Sequence, residues 1–348
     1  MTYIIGIPKE IKANENRVSL IPEDIKELIN LYNIQVFIET NAGINSLYTD
    51  DDYLNVGAII CNSAKEVFDK SNIIIKVKEL LEEEYDYINE NHIILTFFHF
   101  ASNPSLIEAM INKKPICIAY ETIKKEDGTY PILAPMSIIA GEQSMINANK
   151  FLDTDYNNDI ITIIGVGNVG KASAYKAKEI GYKNINLIDR DLDKMKEFLN
   201  KDCFYLYEMN DKNLIELLKI SNIVIGSIYN LGEKAKKLIT NDMLNMMTKK
   251  CIIMDVAIDQ GGITEQSIIT TINDPIIKYN NNINIYCVSN IPSSVPSRAS
   301  FELSKAIYPY VKSIIEDMDI EKTINKNIEL KNGVNIYKGA IWNKNILK

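Results

Sequence analysis

The chain has 348 residues, 46% of them hydrophobic, and a formal net charge of −8. A single core seldom grows past roughly 250–300 residues, so two domains are expected. The acidic balance, with lysines and acids interleaved, argues against a nucleic-acid surface. No apolar run reaches the ~18 residues that would span a bilayer.

The opening MTYIIGIPKEIKANENR turns polar within a few residues and lacks a cleavable leader, so a cytoplasmic location is expected. Short apolar runs at 3–7, 35–38, 57–60, 72–77, 93–98 and 116–119 predict strands. Helical patterns lie between them, such as PEDIKELINLYN, where Pro22 opens the helix and acids fill its first turn. Arg17, in NENRV, falls in a loop between strand and helix. Lys76 and Lys78 end the fourth run; side chains alternate along a strand, so the two share a face opposite Val77. By pattern alone these cations are either solvated or turned into a cleft. His99 leaves the core at the end of ILTFFHFASN, where an imidazole is either packing or poised at a site. His92, at the other end of that strand, is expected to be solvated.

A helix over 135–152 and the connector DTDYNND precede a second series of strands at 160–164, 184–188, 222–226, 251–256 and 284–288. A long helix in SSVPSRASFELSKAIYPYVKSIIEDM follows, and the tail from about 320 reads as short helices and turns. Alternating β and α segments predict an α/β fold of doubly wound parallel sheets with helices on both faces. The expected division is a discontinuous domain over 1–133 plus 298–348 and an inserted domain over 134–297. Long helices would bridge the two, with a ligand cleft between them. The five cysteines are scattered, odd in number and never in a CxxC pair. They fit reduced thiols with no metal site.

The stretch ITIIGVGNVGKASAYKAKEIGYKNINLIDRD carries strand, glycine loop, helix, strand and acid in dinucleotide-binding order. Gly165 permits the tight turn, Gly167 lets the backbone approach a pyrophosphate, and Gly170 lets helix and strand pack closely. The helix N-terminus presents N–H groups to phosphates. Asp189 is placed to accept ribose hydroxyls, which favours NAD over NADP; Arg190 stands beside it. In CIIMDVAIDQGG, Asp259 follows a buried strand and fits either catalysis or turn chemistry. Asp255, inside the strand end, reads as structural.

GIPKEIKANENRVSLIP, IIKVKEL, LTFFHFAS, AYETIKKEDGTYPILAPMS, DVAIDQGGITE and VSNIPSSVP resemble the signature segments of alanine dehydrogenases. The nucleotide-binding subunit of proton-translocating transhydrogenase is a more distant relative. The resemblance covers nearly the whole chain and implies two Rossmann-like domains, NAD, a homohexamer and no membrane partner. It implies oxidative deamination of L-alanine to pyruvate and ammonia, with His99 as acid–base and Asp259 orienting water. Arg17 and Lys78 would hold the substrate, with Asn290 close to it. The positions matching cofactor contacts are Ser137, the loop Gly165, Gly167, Asn168, Val169 and Gly170, then Asp189 and Lys194. Ile228, Tyr229, Val256, Ala257, Ile258, Val288, Ser289 and Ile291 match further contacts. Four features depart from the family pattern: the short DTDYNND, Glu142 in the AGE segment, Ile268 where an arginine is usual, and IYNLGEKAKK in place of a more proline-rich loop. A reductase joining a 2-oxo acid to an amino-acid amine, and a transhydrogenase-like NAD(H)-binding subunit, remain the alternatives.

Overall fold

The computed structural model describes residues 3–228 and 236–347. Two compact units divide the chain, one of Met1–Met136 with Ser293–Lys348, the other of Ser137–Pro292. The first crossing falls inside the helix Leu133–Ala148, the second in the turn Ile291–Ser294.

The strands in chain order are β1 (Ile4–Ile7), β2 (Gln35–Glu39), β3 (Ile59–Cys61), β4 (Ile73–Lys78), β5 (Ile93–Phe97) and β6 (Ile116–Ala119). Then come β7 (Ile160–Ile164), β8 (Asn184–Asp189), β9 (Phe204–Glu208), β10 (Ile223–Gly226), β11 (Cys251–Asp255), β12 (Ile276–Lys278) and β13 (Ile283–Tyr286). The last two are β14 (Val334–Tyr337) and β15 (Ala340–Ile341).

Among the described residues the first unit holds an eight-stranded sheet in the order β15-β14-β6-β5-β4-β1-β2-β3. Its six strands from β6 to β3 run parallel, while β14 and β15 pair antiparallel at the edge. The second unit holds seven strands in the order β12-β13-β11-β10-β7-β8-β9, parallel except for β12. Each sheet therefore winds outwards from its first strand and reverses beside it, between β1 and β4 and between β7 and β10. That doubly wound order places ligand crevices at the carboxyl ends of those strands.

The apolar runs form strands because parallel strands covered on both faces want continuous Ile and Val rather than alternation. All six residues of β4 and all five of β5 and β11 are buried. The helix Pro22–Tyr32 starts at its proline and stops where Asn33 turns left-handed and its N–H bonds the Ile29 carbonyl.

Four strands went unread. β9 is an edge strand whose Tyr205 is exposed, so its aromatics look like ordinary surface residues. β12 is a three-residue edge segment. β14 and β15 form a hairpin where turns were expected, joined by Lys338 and Gly339, both at positive φ. Positive φ at both central residues is the mirror-image turn that hairpins favour. No helix among the described residues is long and apolar enough to cross a membrane.

Candidate active site

In the first unit, the loop after β1 and the ends of β4 and β5 carry the expected side chains. Arg17 is almost wholly buried, and its Nε and Nη2 donate to Glu15 at 2.7 and 2.6 Å, a bidentate pair. Its Nη1 lies 3.2 Å from Met136 Sδ. Glu15 thus fixes the plane of the guanidinium, a partner the sequence reading did not assign. Lys12 pairs with Glu79 on the same side of the sheet's carboxyl edge.

Lys76 and Lys78 do not share a fate. Lys76 is 1% exposed and sits between Glu84 at 2.7 Å and Glu10 at 3.3 Å. Burial alone would lower its pKa, but the two carboxylates win and raise it. It is an internal ion cluster rather than a solvated or cleft-facing lysine. Lys78 is also buried, and its charge acts on both His99 and Glu121. The ladder between β4 and β5 shifts register between Ile75 and Lys78, so simple alternation no longer relates the two lysines.

His99 stands just past β5 in the left-handed region, at φ 50°. Its N–H donates to Glu121 Oε1 at 2.6 Å, and the Phe98 N–H donates to Oε2 at 3.3 Å. The imidazole stacks on Phe97 with ring centroids 6.0 Å apart. Desolvation by the surrounding protein and the charges of Lys78, Lys12 and Arg17 hold it well below the ordinary histidine pKa. Because His99 itself is exposed, repulsion by the three cations is the firmer cause. These charges favour the neutral form of the ring.

Glu121 was not picked out from the sequence. Desolvation lifts its pKa to about 7, against the pull of the N–H bonds and of Lys78. An acid two residues beyond β6, at the carboxyl edge of a parallel sheet, was the available signal. His92 corrects the other expectation. It is buried rather than solvated, Nε2 facing the Phe68 carbonyl at 3.1 Å and Nδ1 accepting the Asn89 N–H at 3.1 Å.

In the second unit the three loop glycines have three separable reasons. Gly165 adopts φ 89°, which a side chain would strain. A Cβ on Gly167 would meet nothing within 4 Å, leaving that approach to the backbone open. A Cβ on Gly170 would overlap the Gly165 carbonyl oxygen, so helix and strand pack there without side chains. Asn168 and Val169 begin the thirteen-residue helix Asn168–Ile180. Asp189 ends β8, and its oxygens accept the Val166 and Asp191 N–H groups at 2.6 and 2.8 Å. An open glycine cradle on a helix N-terminus with an acid beside it fits a dinucleotide.

The other expected positions group by element. Ser137 is half-buried in the helix Leu133–Ala148, and Lys194 is exposed after β8. Ile228 follows β10; Tyr229 lies outside the described residues. Val256, Ala257, Ile258 and Asp259 follow β11, with Asp259 exposed. Val288, Ser289, Asn290 and Ile291 follow β13, Asn290 at φ 56°. Asp255 is structural, as read: it accepts the Ile263 N–H at 2.7 Å and the Ser267 hydroxyl. The fold therefore gathers Arg17, Lys78 and His99 in one unit, and the glycine loop, Asp189 and Asp259 along one sheet edge of the other.

Two family models match the chain: alanine dehydrogenase/PNT, N-terminal domain, over residues 6–140, and alanine dehydrogenase/PNT, C-terminal domain, over 156–344. An alanine dehydrogenase 2 from Staphylococcus aureus is 36% identical, covering 98% of this chain and 95% of that protein. A solved L-alanine dehydrogenase superposes with a TM-score of 0.91 at 29% identity, covering 98% of this chain and 97% of the other. A Sinorhizobium meliloti transhydrogenase structure shares the fold, with a TM-score of 0.83 at 20% identity over 98% and 99% of the two chains. The chain belongs to the alanine dehydrogenase/PNT family.

Proposed function

We propose that this NAD-dependent dehydrogenase interconverts L-alanine and pyruvate. The balanced reaction is L-alanine, NAD+ and water giving pyruvate, ammonium, NADH and a proton. The observation that carries this reading is the gathering of His99 with the cations Arg17, Lys78 and Lys12 in one unit, in the loop after β1 and at the ends of β4 and β5, where their charges act on the imidazole. Cations beside a base suit a substrate that brings a carboxylate and must lose a proton from nitrogen.

Arg17, its plane set by Glu15, and Lys78 hold the substrate carboxylate and orient the Cα–H bond. NAD, held by the glycine loop and Asp189, supplies the hydride acceptor. His99 takes a proton from the amine or the attacking water and returns it as ammonia leaves. Asp259 orients that water, and Asn290 borders the substrate. Ser137, Lys194, Ile228, Tyr229, Val256, Ala257, Ile258, Val288, Ser289 and Ile291 complete the cofactor contacts. On this reading the first unit is the substrate domain and the second the nucleotide domain. The family resemblance extends the proposal to a cytoplasmic homohexamer, which fractionation and sedimentation would check.

The deciding assay mixes the purified protein with NADH and pyruvate, adding either ammonium or an amino-acid amine. NADH consumption that requires ammonium supports the proposal. Consumption only with the amino-acid amine, or none at all, overturns it.

A further inference from the structure

We propose that Glu10 is a positioning residue for Lys78, acting through the backbone of β4; this rests on the reading of Lys78 as a substrate ligand. Pairing between β4 and β5 breaks register between Ile75 and Lys78. An interrupted ladder leaves backbone groups that a buried strand must satisfy by other means. Pairing with β1 also stops at Ile74, and three side chains take over along this stretch. The Ser19 hydroxyl donates to the Ile75 carbonyl at 2.8 Å, and the Thr96 hydroxyl donates to the Lys78 carbonyl at 2.7 Å. Between them the Val77 N–H donates to Glu10 Oε1 at 2.6 Å.

The carboxylate that takes this central bond is itself anchored. Lys76, one residue earlier, lies 3.3 Å from Glu10 Oε2 and 2.7 Å from Glu84. Glu84 is fixed in turn, accepting the Leu81 N–H at 2.9 Å. Burying two acids around one lysine is an expensive way to fill a core. Its effect is to clamp the peptide that joins Lys76 to Lys78. Glu10 belongs to the loop after β1 that continues to Lys12, Glu15 and Arg17, so one loop sets both cations of the substrate grip.

The test compares Glu10→Gln, which keeps a carbonyl acceptor at the same reach, with Glu10→Asp, which keeps the charge but withdraws it by one methylene. Glu10→Asp should raise KM for pyruvate roughly tenfold or more, the scale of effect a small misplacement produces. Glu10→Gln should stay within about threefold, and NADH affinity by fluorescence titration should be unchanged in both. The Val77 amide should exchange with deuterium faster in Glu10→Asp only. Any other ranking, including a larger effect for Gln than for Asp or no effect in either, overturns the proposal. Lys78→Met separates the two readings: a KM that does not rise there removes the substrate role of Lys78, whatever the Glu10 variants do.

Discussion

Glu121 Oε1 accepts the His99 N–H at 2.6 Å while His99 holds φ 50°. A non-glycine residue pays about 1–3 kcal/mol to stay in such a conformation unless its surroundings fix it. The carboxylate that fixes it here also takes the neighbouring Phe98 N–H. Glu121→Ala should therefore lower kcat by roughly ten- to a hundredfold through a misplaced imidazole, with NADH affinity kept. Glu121→Gln keeps an acceptor and should recover most of that loss. Equal kcat in Glu121→Ala and the parent protein would end this account.

His99→Ala should cut turnover by about 10²–10⁴-fold, the usual contribution of a positioned acid–base group. NADH titration should give an unchanged affinity, since the glycine loop and Asp189 are in the other unit. Activity within a few fold of the parent removes His99 from the chemistry.

The chain has only two histidines, so imidazole proton resonances report each one separately. Desolvation lowers both, and Lys78, Lys12 and Arg17 lower His99 further. Neither should show a midpoint at 6.5 or above. Lys12→Gln removes one repelling cation, so the His99 midpoint should rise while that of His92 stays.

Stability should show the sign of these shifts. His92 stays neutral in the fold below the pH at which an unfolded histidine takes its proton. The unfolded chain then binds more protons, so this contribution is lost as pH falls below about 6.5. Glu121, raised to about 7 by burial, acts oppositely: it favours folding below the ordinary carboxylate range and loses that advantage as pH rises through 7. The thermal advantage of the parent protein over His92→Gln should consequently shrink from pH 7.5 to pH 5.5. A gap that widens on acidification would contradict the buried neutral ring.

Gly167→Ala and Gly170→Ala should separate binding from packing. A methyl at 167 meets nothing within 4 Å, so melting should barely move while NADH affinity falls by roughly tenfold. A methyl at 170 overlaps the Gly165 carbonyl oxygen and should destabilise by about 1–3 kcal/mol or more. Equal melting losses in the two variants would refute the distinction.

The sequence alone determined the two wound sheets, the glycine loop with its acid, and the loops and strand ends that carry Arg17, Lys78, His99 and Asp259. Those features are written in local pattern: buried parallel strands need continuous apolar runs, and the phosphate turn needs glycines at fixed spacing. Tertiary structure decided the partners. That Lys76 is held by Glu10 and Glu84 while the charge of Lys78 acts on His99, that Glu15 grips Arg17, and that Glu121 holds the His99 backbone could not be read from spacing. Glu10 meets Lys76 and Glu121 meets His99 only because strand order brings distant segments together, and even the near neighbours Glu15 and Arg17 pair through a loop shape that alternation along a strand does not record.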